Sequence, residues 1–265
     1  MRNLRSVALC TALLLLFAIP TAASAEIGAL SPVYGSGVGD LGGEQMQPSD
    51  AAADAAGDLY VADSVQNRIS VFSAGGAFQR AFGFDVIPGN PGTGFEVCTT
   101  SCKIGTAGGG GGQLNFPASI DVDGSDLYVA DRDNNRISVF TTQGAFLRAF
   151  GFNVVPGGGS GFEACTSNCQ AGTAGDAPGQ LSDPSGVVSD GSGNVFVTDG
   201  LNQRISVFGA QGSSFERAFG ANVVPGGGPS PRSAPRAARP VWRGTESGSS
   251  TTRPASPPPA AASCT

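Results

Sequence analysis

Histidine is absent from this chain of 265 residues. Ser-His-Asp and Cys-His relays need an imidazole as general base, and many zinc sites use imidazole ligands. The sequence therefore excludes these hydrolase classes and any His-ligated metal site from this chain. We predict no catalytic residue, no metal site and no cofactor, and we favour a binding protein over an enzyme.

Basic residues are scarce in the body of the chain. Residues 26–228 carry eight Lys and Arg against twenty Asp and Glu, a net charge of −12, compared with −6 for the whole sequence. Nucleic-acid binding depends on cations that neutralise phosphates, and anionic membrane surfaces attract basic segments. An acidic body without a basic stripe argues against both kinds of partner.

Long hydrophobic runs are missing except at the N-terminus. Arg2 and Arg5 precede an apolar stretch over residues 7–19, and Ala23-Ser24-Ala25 forms a small-x-small cleavage signature. We predict a signal peptide at 1–25, with an uncleaved anchor as the alternative. No later stretch has the length of a membrane span. We therefore expect no membrane insertion after cleavage and a secreted or cell-surface location.

What the sequence does contain is an internal repeat. Segments 58–72 (DLYVADSVQNRISVF), 126–140 (DLYVADRDNNRISVF) and 194–208 (NVFVTDGLNQRISVF) align with a period of 68 residues. Apolar and polar residues alternate in each copy, as in half-buried strands, and glycines mark the turns. Four such strands in roughly 40 residues have the size of one propeller blade.

The pattern of a proline followed by LYVAD, NNRISVF, a glycine and F…FG resembles the NHL repeat, a family of β-propellers. It covers roughly residues 43–83, 112–151 and 179–220. The resemblance implies an all-β protein: an NHL-type β-propeller with three four-stranded blades, Gly-rich Cys-containing inserts and an incomplete ring. The first copy departs from the pattern in its Ala-rich inner strand, PSDAAADAAGD. Members of the family act mostly as protein-binding platforms or sensors, while some relatives bind RNA and some related propellers are enzymes.

These features divide the chain into seven segments. They are a signal peptide (1–25), blade 1 (26–82), Cys insert 1 (83–111), blade 2 (112–150), Cys insert 2 (151–178), blade 3 (179–228) and a disordered or out-of-frame tail (229–265).

The two Gly-rich inserts each carry a C-x-x-x-C pair. Cysteines of an exported chain are expected to be oxidised, so we predict disulfides from Cys98, Cys102, Cys165 and Cys169. Local bonds within each insert are the first expectation, and bonds between inserts or a four-thiolate zinc site are the alternatives. Insertions at the same point of each repeat project from the same face, where loops commonly bind ligands.

Each copy also repeats an Asp and an Arg five positions apart, namely Asp63 and Arg68, Asp131 and Arg136, and Asp199 and Arg204. A carboxylate at a strand end can accept hydrogen bonds from turn amides, and a guanidinium can pair with it. Residues that recur in every blade more often build the blade than form a site. We therefore predict a structural role for all six.

The tail, 229–265, lacks the strand pattern and carries five of the fifteen basic residues and the single Trp. At an offset of 69 residues, Cys165 and Cys169 fall on Ala234 and Ala238. Loss of one upstream nucleotide would turn codons for a third Cys insert and a fourth blade into this tail. We interpret residues after about 228 as out-of-frame translation, with a genuine disordered tail as the alternative.

The sequence thus predicts an exported NHL-type propeller fragment that binds or scaffolds through its inter-blade loops, with an unknown extracellular protein or glycan as partner. The alternative is a remnant of a lactonase-like or lyase-like propeller enzyme whose catalytic blades are missing. Closed propellers typically have about four to eight blades. Three blades leave faces and edges uncovered, so we expect an unstable chain or self-association through the open blades.

Overall fold

The computed structural model describes residues 47–89, 94–221, 223 and 231–235. These residues form fifteen β-strands in three antiparallel sheets of five strands each, with no α-helix among them. The strands of blade 1 are β1 Pro48–Ala53, β2 Leu59–Asp63, β3 Arg68–Phe72, β4 Phe78–Phe84 and β5 Phe95–Cys98. Those of blade 2 are β6 Pro117–Asp123, β7 Asp126–Asp131, β8 Arg136–Thr141, β9 Phe146–Phe152 and β10 Phe162–Cys165. Those of blade 3 are β11 Pro184–Ser189, β12 Val195–Asp199, β13 Arg204–Gly209, β14 Ser214–Ala221 and β15 Pro231–Pro235.

Each blade is a meander whose strands pair in chain order. The register is the same in all three copies, with the repeated Asp opposite the repeated Arg at the turn between the second and third strands. A proline begins each inner strand, where its missing N–H costs no ladder bond. The Ala-rich inner strand of the first copy also forms, so that the departure from the repeat pattern does not abolish the blade.

The fifth strand of each blade was not expected, because the inserts read as loops. Residues 95–98 of insert 1 and 162–165 of insert 2 instead pair with the outer edge of the preceding strand, which satisfies backbone groups that would otherwise remain open. In blade 3 this position is taken by β15, in the segment for which no strand pattern was seen. Ala234 lies opposite Ala218, just as Cys165 lies opposite Ala149, so the backbone keeps the offset of 69 residues.

Neighbouring blades pack face to face, and the alternation of side chains decides which blade each residue contacts. In β7, Leu127 and Val129 belong to the core shared with blade 1, whereas Tyr128 and Ala130 belong to the core shared with blade 3. Both cores are fully buried, and an aromatic cluster lies in each. The period of two in the sequence therefore builds both faces of the middle blade.

The inner strands β1, β6 and β11 lie side by side and are joined by side-chain hydrogen bonds. The Ser119 hydroxyl donates to an Asp50 carboxylate oxygen at 2.6 Å and accepts from the Val187 amide at 3.2 Å. The Ser189 amide donates to Asp121 at 2.8 Å. These bonds cross from blade to blade, so they fix the angle between successive blades as well as their spacing.

The described residues contain no helix long and apolar enough to cross a membrane. The predicted signal peptide at 1–25 lies outside the described residues, as does the tail except for 231–235.

Candidate functional site

The candidate site is the surface formed by the two inserts, here called the insert face and defined as residues 94–112 and 153–179. Each insert returns from the outer edge of one blade to the inner strand of the next. On the way it bonds to the turn between the second and third strands: the Gly105 amide donates to the Gln66 carbonyl, and the Gly172 amide to the Asn134 carbonyl, both at 2.8 Å. Both inserts therefore lie on the same side of the blades.

Close glycine contacts make these turns specific. A Cβ on Gly105 or on Gly172 would lie 2.6 Å from a backbone carbonyl oxygen of the turn beneath it. Real side chains do not approach backbone atoms so closely, so glycine is required where the insert crosses the turn. The repeated glycine in the segments KIGTAG and QAGTAG is the sequence signal for this contact.

The cysteines of each insert are bonded to each other. Cys98 is bonded to Cys102 and Cys165 to Cys169, with Cα–Cα distances of 5.6 and 5.5 Å. All four side chains are buried, and each pair packs on apolar residues of its own insert and of the strand that precedes it. The bonds are thus local within each insert, the first of the connectivities considered from the sequence.

Beneath the insert face lies a fully buried ion pair between Asp131 and Arg136, with Nε and Oδ2 separated by 2.9 Å. The Asp131 carboxylate also accepts from the Asn115 amide, the Asn134 side-chain amide and the Ser138 hydroxyl, at 2.8 to 3.0 Å. Burial raises the pKa of Asp131, while the Arg136 guanidinium and the Asn134 and Asn115 donors oppose that rise. A charge removed from water is in this way surrounded by donors.

The remaining guanidinium nitrogens of Arg136 hold backbone carbonyls of both inserts. They donate to Gly109 and Gly110 at the end of insert 1, to Gln113 just after it, and to Gln170 of insert 2 at 3.0 Å. Carbonyl oxygens without a strand partner need a donor when they are buried. Arg136 supplies that donor, so one buried cation fixes two loops that are distant in sequence.

The same arrangement recurs in blade 3. Arg204 pairs with Asp199 at 2.8 Å, and Asn202 donates to the same carboxylate at 2.9 Å. Arg204 also donates to the carbonyls of Asp176 and Ala177 at the end of insert 2 and to that of Gln180 just after it. The repeated Asp and Arg of blades 2 and 3 therefore contact each other and backbone groups, and their structural role stays a prediction.

Asn134 and Asn202 are members of this network that the sequence analysis did not select. Each side-chain amide bridges the repeated carboxylate and a carbonyl of the preceding insert, that of Gly108 or of Gly175, at 2.8 and 2.7 Å. The signal was present in the repeated segments NNR and NQR. It was overlooked because Asn is also a common turn residue.

Blade 1 holds a weaker version of the pair. Arg68 donates to the Lys103 carbonyl of insert 1 at 3.1 Å, but its Nε lies 3.9 Å from Asp63. Neither carboxylate oxygen of Asp63 has a hydrogen-bond partner among the described residues. Burial raises the pKa of the Asp63 carboxyl to about 6, in spite of Arg68 and of nearby backbone amides. Asp63 is therefore a buried carboxylate with fewer donors than its two counterparts.

This difference predicts a pH dependence of stability. The folded pKa of Asp63, about 6, exceeds the ordinary value of 3.8, so the folded state holds the proton more tightly. The stabilising contribution is complete below the ordinary pKa and is lost as the pH rises through about 6. Relative to an Asp63→Asn variant, the wild-type free energy of unfolding is expected to fall by on the order of 3 kcal/mol between pH 4 and pH 8.

Chemical denaturation of both proteins at several pH values measures this difference. Asp63→Asn stays neutral throughout and is the matched reference, so contributions from all other carboxylates cancel. If the free energies of unfolding of the two proteins differ by the same amount at every pH, or if the wild type gains stability relative to Asp63→Asn above pH 6, burial does not raise the pKa of Asp63.

The two inserts also contact each other. A Cβ on Gly109 would lie 2.5 Å from the Ala171 amide nitrogen, and one on Gly111 would meet the Ser167 carbonyl oxygen. The end of insert 1 thus packs directly against insert 2. The insert face is a continuous surface across the junction of blades 1 and 2, and it does not consist of two separate loops.

The exposed tips of the inserts are polar and uncharged. Residues 99–101 (TTS) and 166–168 (TSN) lie between the bonded cysteines and are exposed. The charged side chains nearby are engaged within the inserts: Lys103 pairs with Asp85 at 3.0 Å, and Glu163 accepts from the Val155 amide at 2.9 Å. The surface offered at the tips consists of hydroxyl groups and one amide.

The disulfides are expected to keep these tips ordered. For a ring of this size the loop-entropy model gives a contribution of about 2 kcal/mol. We expect the double variant Cys165→Ser/Cys169→Ser to lose protection from hydrogen exchange at Gln170 and Gly172, whose amides donate to Val154 and Asn134. The blade strands are expected to keep theirs, because their ladders do not depend on the bond.

Hydrogen exchange read by mass spectrometry tests this, with Cys98→Ser/Cys102→Ser as the matched variant in insert 1. Unchanged protection in both variants would show that the bonds do not order the inserts. Loss of protection throughout the blades would show that they act on the whole fold.

The described residues contain no group of three or more His, Cys, Asp or Glu side chains placed to hold a metal ion. All four cysteines of the inserts are engaged in disulfides.

Comparison with known proteins supports the repeat. Residues 114–140 match the family model of the NHL repeat, which confirms the resemblance inferred from sequence for blade 2. No curated protein matches the sequence. The match lies within blade 2, and blades 1 and 3 share its strand order and register, so the chain is an all-β protein of propeller-type blades with an NHL repeat in the middle one.

Several solved structures resemble the chain at low overall similarity. They include a hydrazine synthase of Kuenenia stuttgartiensis (16% identity, covering 64% of this chain and 36% of that chain, TM-score 0.36). A protein from Lactobacillus plantarum has 16% identity, with 67% and 56% coverage and a TM-score of 0.28. A chain of a nidogen/laminin complex has 14% identity, with 66% and 71% coverage and a TM-score of 0.30. This chain spans about a third and about a half, respectively, of the first two.

Proposed function

We propose that this chain is an exported binding module whose insert face recognises an extracellular protein or a glycan through hydrogen bonds. The observation that carries the proposal is the ordering of two long Gly-rich inserts into one continuous surface. Their disulfides, the buried arginines and the glycine contacts all restrict the inserts, whereas loops that merely connect blades would need none of these restraints. Preorganised loops on a rigid scaffold lose little entropy on binding, which favours affinity.

The chemistry of the tips supports a neutral polar ligand. Hydroxyl and amide groups at 99–101 and 166–168 can both donate and accept hydrogen bonds. Sugars and polar peptide segments offer the complementary groups. Export, which rests on the signal sequence, fits disulfides that persist in an oxidising compartment. No observation on the described residues favours the alternative of an enzyme remnant.

The experiment compares variants of the insert face with a matched control on the other side of the blades. The test variant replaces Thr99, Thr100, Thr166 and Ser167 by alanine. The control replaces Ser125 and Ser192, exposed residues in hairpin turns at the opposite ends of the strands. Each purified chain is applied to a glycan array and to extracellular proteins of the producing cells, and any ligand found is titrated against all three.

The proposal predicts binding by the wild type and the control, and an affinity at least about tenfold lower for the test variant, as expected when several hydrogen bonds are removed. The array and the protein fraction separate a glycan from a protein ligand. If the test variant binds as tightly as the wild type, or if the control binds more weakly, the ligand does not bind at the insert face. Absence of binding in both arms would contradict a binding module.

A further inference from the structure

The second face of blade 3 is exposed where the same face of the other blades is buried. We call it the open face and define it as Val188, Phe196, Thr198, Ile205 and Phe219. Phe219 is 39% exposed and Val188 is 51% exposed. Shallow grooves of about 380 and 210 Å³ lie along the open face. A sheet face of this kind is normally covered.

In blade 2 the equivalent face forms the interface with blade 3. Tyr128, Ala130, Ile137 and Phe150 take the positions of Phe196, Thr198, Ile205 and Phe219, and all four are at most 1% exposed. Blade 3 covers them with Val195, Val197 and Phe208, as blade 2 covers blade 1 with Leu127, Val129 and Phe140. The open face therefore continues an interface that occurs twice within this chain.

Polar contacts at the two junctions show what the open face lacks. An arginine of the fourth strand reaches the next blade at each: Arg80 donates to the Thr142 carbonyl and Arg148 to the Gln211 carbonyl, the latter at 2.9 Å. Arg217 has the same position in blade 3 and is exposed, and its side chain makes no hydrogen bond or ion pair to any described residue. Blade 3 therefore carries the same donor as blades 1 and 2, but no described residue supplies its acceptor.

A second polar contact repeats in the same way. The Asn67 side-chain oxygen accepts from the Phe116 amide, and that of Asn135 from the Asp183 amide, at 3.0 and 3.2 Å. Gln203 is the counterpart in blade 3 and has the same left-handed backbone, with a φ of 51°. It lines the larger groove of the open face.

A glycine of each incoming blade packs on a phenylalanine of the preceding one. A Cβ on Gly144 would lie 2.8 Å from the Phe82 ring, and one on Gly212 would meet the Phe150 ring. The next ring in this series is Phe219. The apolar side chains of the open face, the Arg217 guanidinium, the Gln203 side-chain amide and the Phe219 ring thus have the positions of groups that contact the next blade at the other two junctions.

We propose that the open face is a docking surface for one further blade of this same repeat. That blade presents Leu or Val at two positions of its second strand, Phe in its third strand and a glycine in the turn that follows. A second copy of this chain would have to offer the first face of its blade 1. The side chains on that face are less exposed than those of the open face, with Val61 5% and Phe72 1% exposed, so a separate blade fits the open face better than a second copy does.

The test uses two cysteine variants at equivalent positions. Thr198→Cys lies on the open face, while Ala130→Cys lies under blade 3 and is fully buried. Maleimide labelling at each site is followed by peptide mass mapping in two chains. The first is the full chain. The second is residues 1–228 followed directly by a second copy of residues 160–265, which adds a Cys insert and a blade at the repeat's own offset.

The inference predicts rapid labelling of Thr198→Cys in the full chain and labelling at least about tenfold slower in the extended chain, because access then requires opening of the new interface. Ala130→Cys is expected to label slowly in both, which shows that the first three blades remain folded. Equal rates for Thr198→Cys in the two chains would overturn the inference. Slow labelling in the full chain, with a dimer by light scattering, would also overturn it, because a second copy would then cover the open face.

Discussion

Replacing Arg136 by methionine is expected to lower the free energy of unfolding by about 3–5 kcal/mol, the cost typical of breaking a fully buried ion pair. The change leaves the Asp131 carboxylate without its cation, at a position with no exposed surface. It also removes the donor to three insert carbonyls and to that of Gln113 just after insert 1. Methionine keeps much of the side-chain volume, so the loss reports on charge and hydrogen bonds more than on a cavity.

Denaturant unfolding measures this loss, and two further variants make it specific. Arg132→Met removes a partly exposed arginine four positions away, which pairs at the surface with Asp133 and Asp183, and is expected to cost about 1 kcal/mol or less. Arg136→Lys keeps the charge but cannot reach both inserts, and it is expected to fall between the two. Arg136→Met as mild as Arg132→Met would refute the assigned role.

Replacing Phe150 by alanine is expected to destabilise the chain by about 3–5 kcal/mol, whereas Phe219→Ala at the equivalent position of blade 3 is expected to cost about 1 kcal/mol or less. Phe150 is fully buried between blades, within 5.2 Å of the Phe208 ring centroid, while Phe219 is 39% exposed. Both variants remove the same phenyl ring, so the difference between their losses in free energy of unfolding measures the stability that packing against a neighbouring blade adds.

Denaturant titrations of both variants, with equal m-values as a check on the unfolded state, decide this. Phe82→Ala provides a third copy, buried between blades 1 and 2 beside the Phe140 ring, and is expected to behave like Phe150→Ala. Similar losses for Phe150→Ala and Phe219→Ala would mean that the open face is covered, which contradicts the fold described.

Much of the fold follows from the sequence because the blade signal is local. Alternation in segments such as DLYVAD places Leu127 and Val129 on one face and Tyr128 on the other, and a strand has only two faces. The fixed spacing of Asp63, Asp131 and Asp199 then marks the repeats. The resemblance to the NHL repeat rested on the same residues and is confirmed over 114–140.

The fifth strands could not be predicted in the same way. The segments FEVC and FEAC are short and lie among glycines, so their pattern alone does not separate strand from loop. They become strands because the outer edge of β4 or β9 offers unpaired backbone groups. Pairing of that kind depends on tertiary context. The strand at 231–235 forms at the same edge.

The sequence identified the cysteines and arginines of the candidate site, but not the disulfide pairing or the backbone groups that these residues contact. The cysteine spacing pointed to disulfides and left the connectivity open. The arginine contacts are mostly to backbone carbonyls, such as those of Gly109 and Gln170. Every residue has a backbone carbonyl, so the sequence does not show which ones accept these hydrogen bonds. The packing of insert 1 on insert 2 was hidden for the same reason, because glycine at 109 and 111 also suits a flexible loop.

Hydrogen exchange of the wild-type chain tests most directly whether the inserts form one ordered surface. The amides to follow are those of Lys103, Gly105, Gln170 and Gly172, all bonded to backbone carbonyls at 2.8 or 2.9 Å. An ordered insert face predicts that they exchange about as slowly as the amides of the blade strands, at least about a hundredfold slower than in an unfolded chain. Exchange at the unfolded rate in either insert, with the blade strands still protected, would show that the inserts are loose loops and would contradict the central claim.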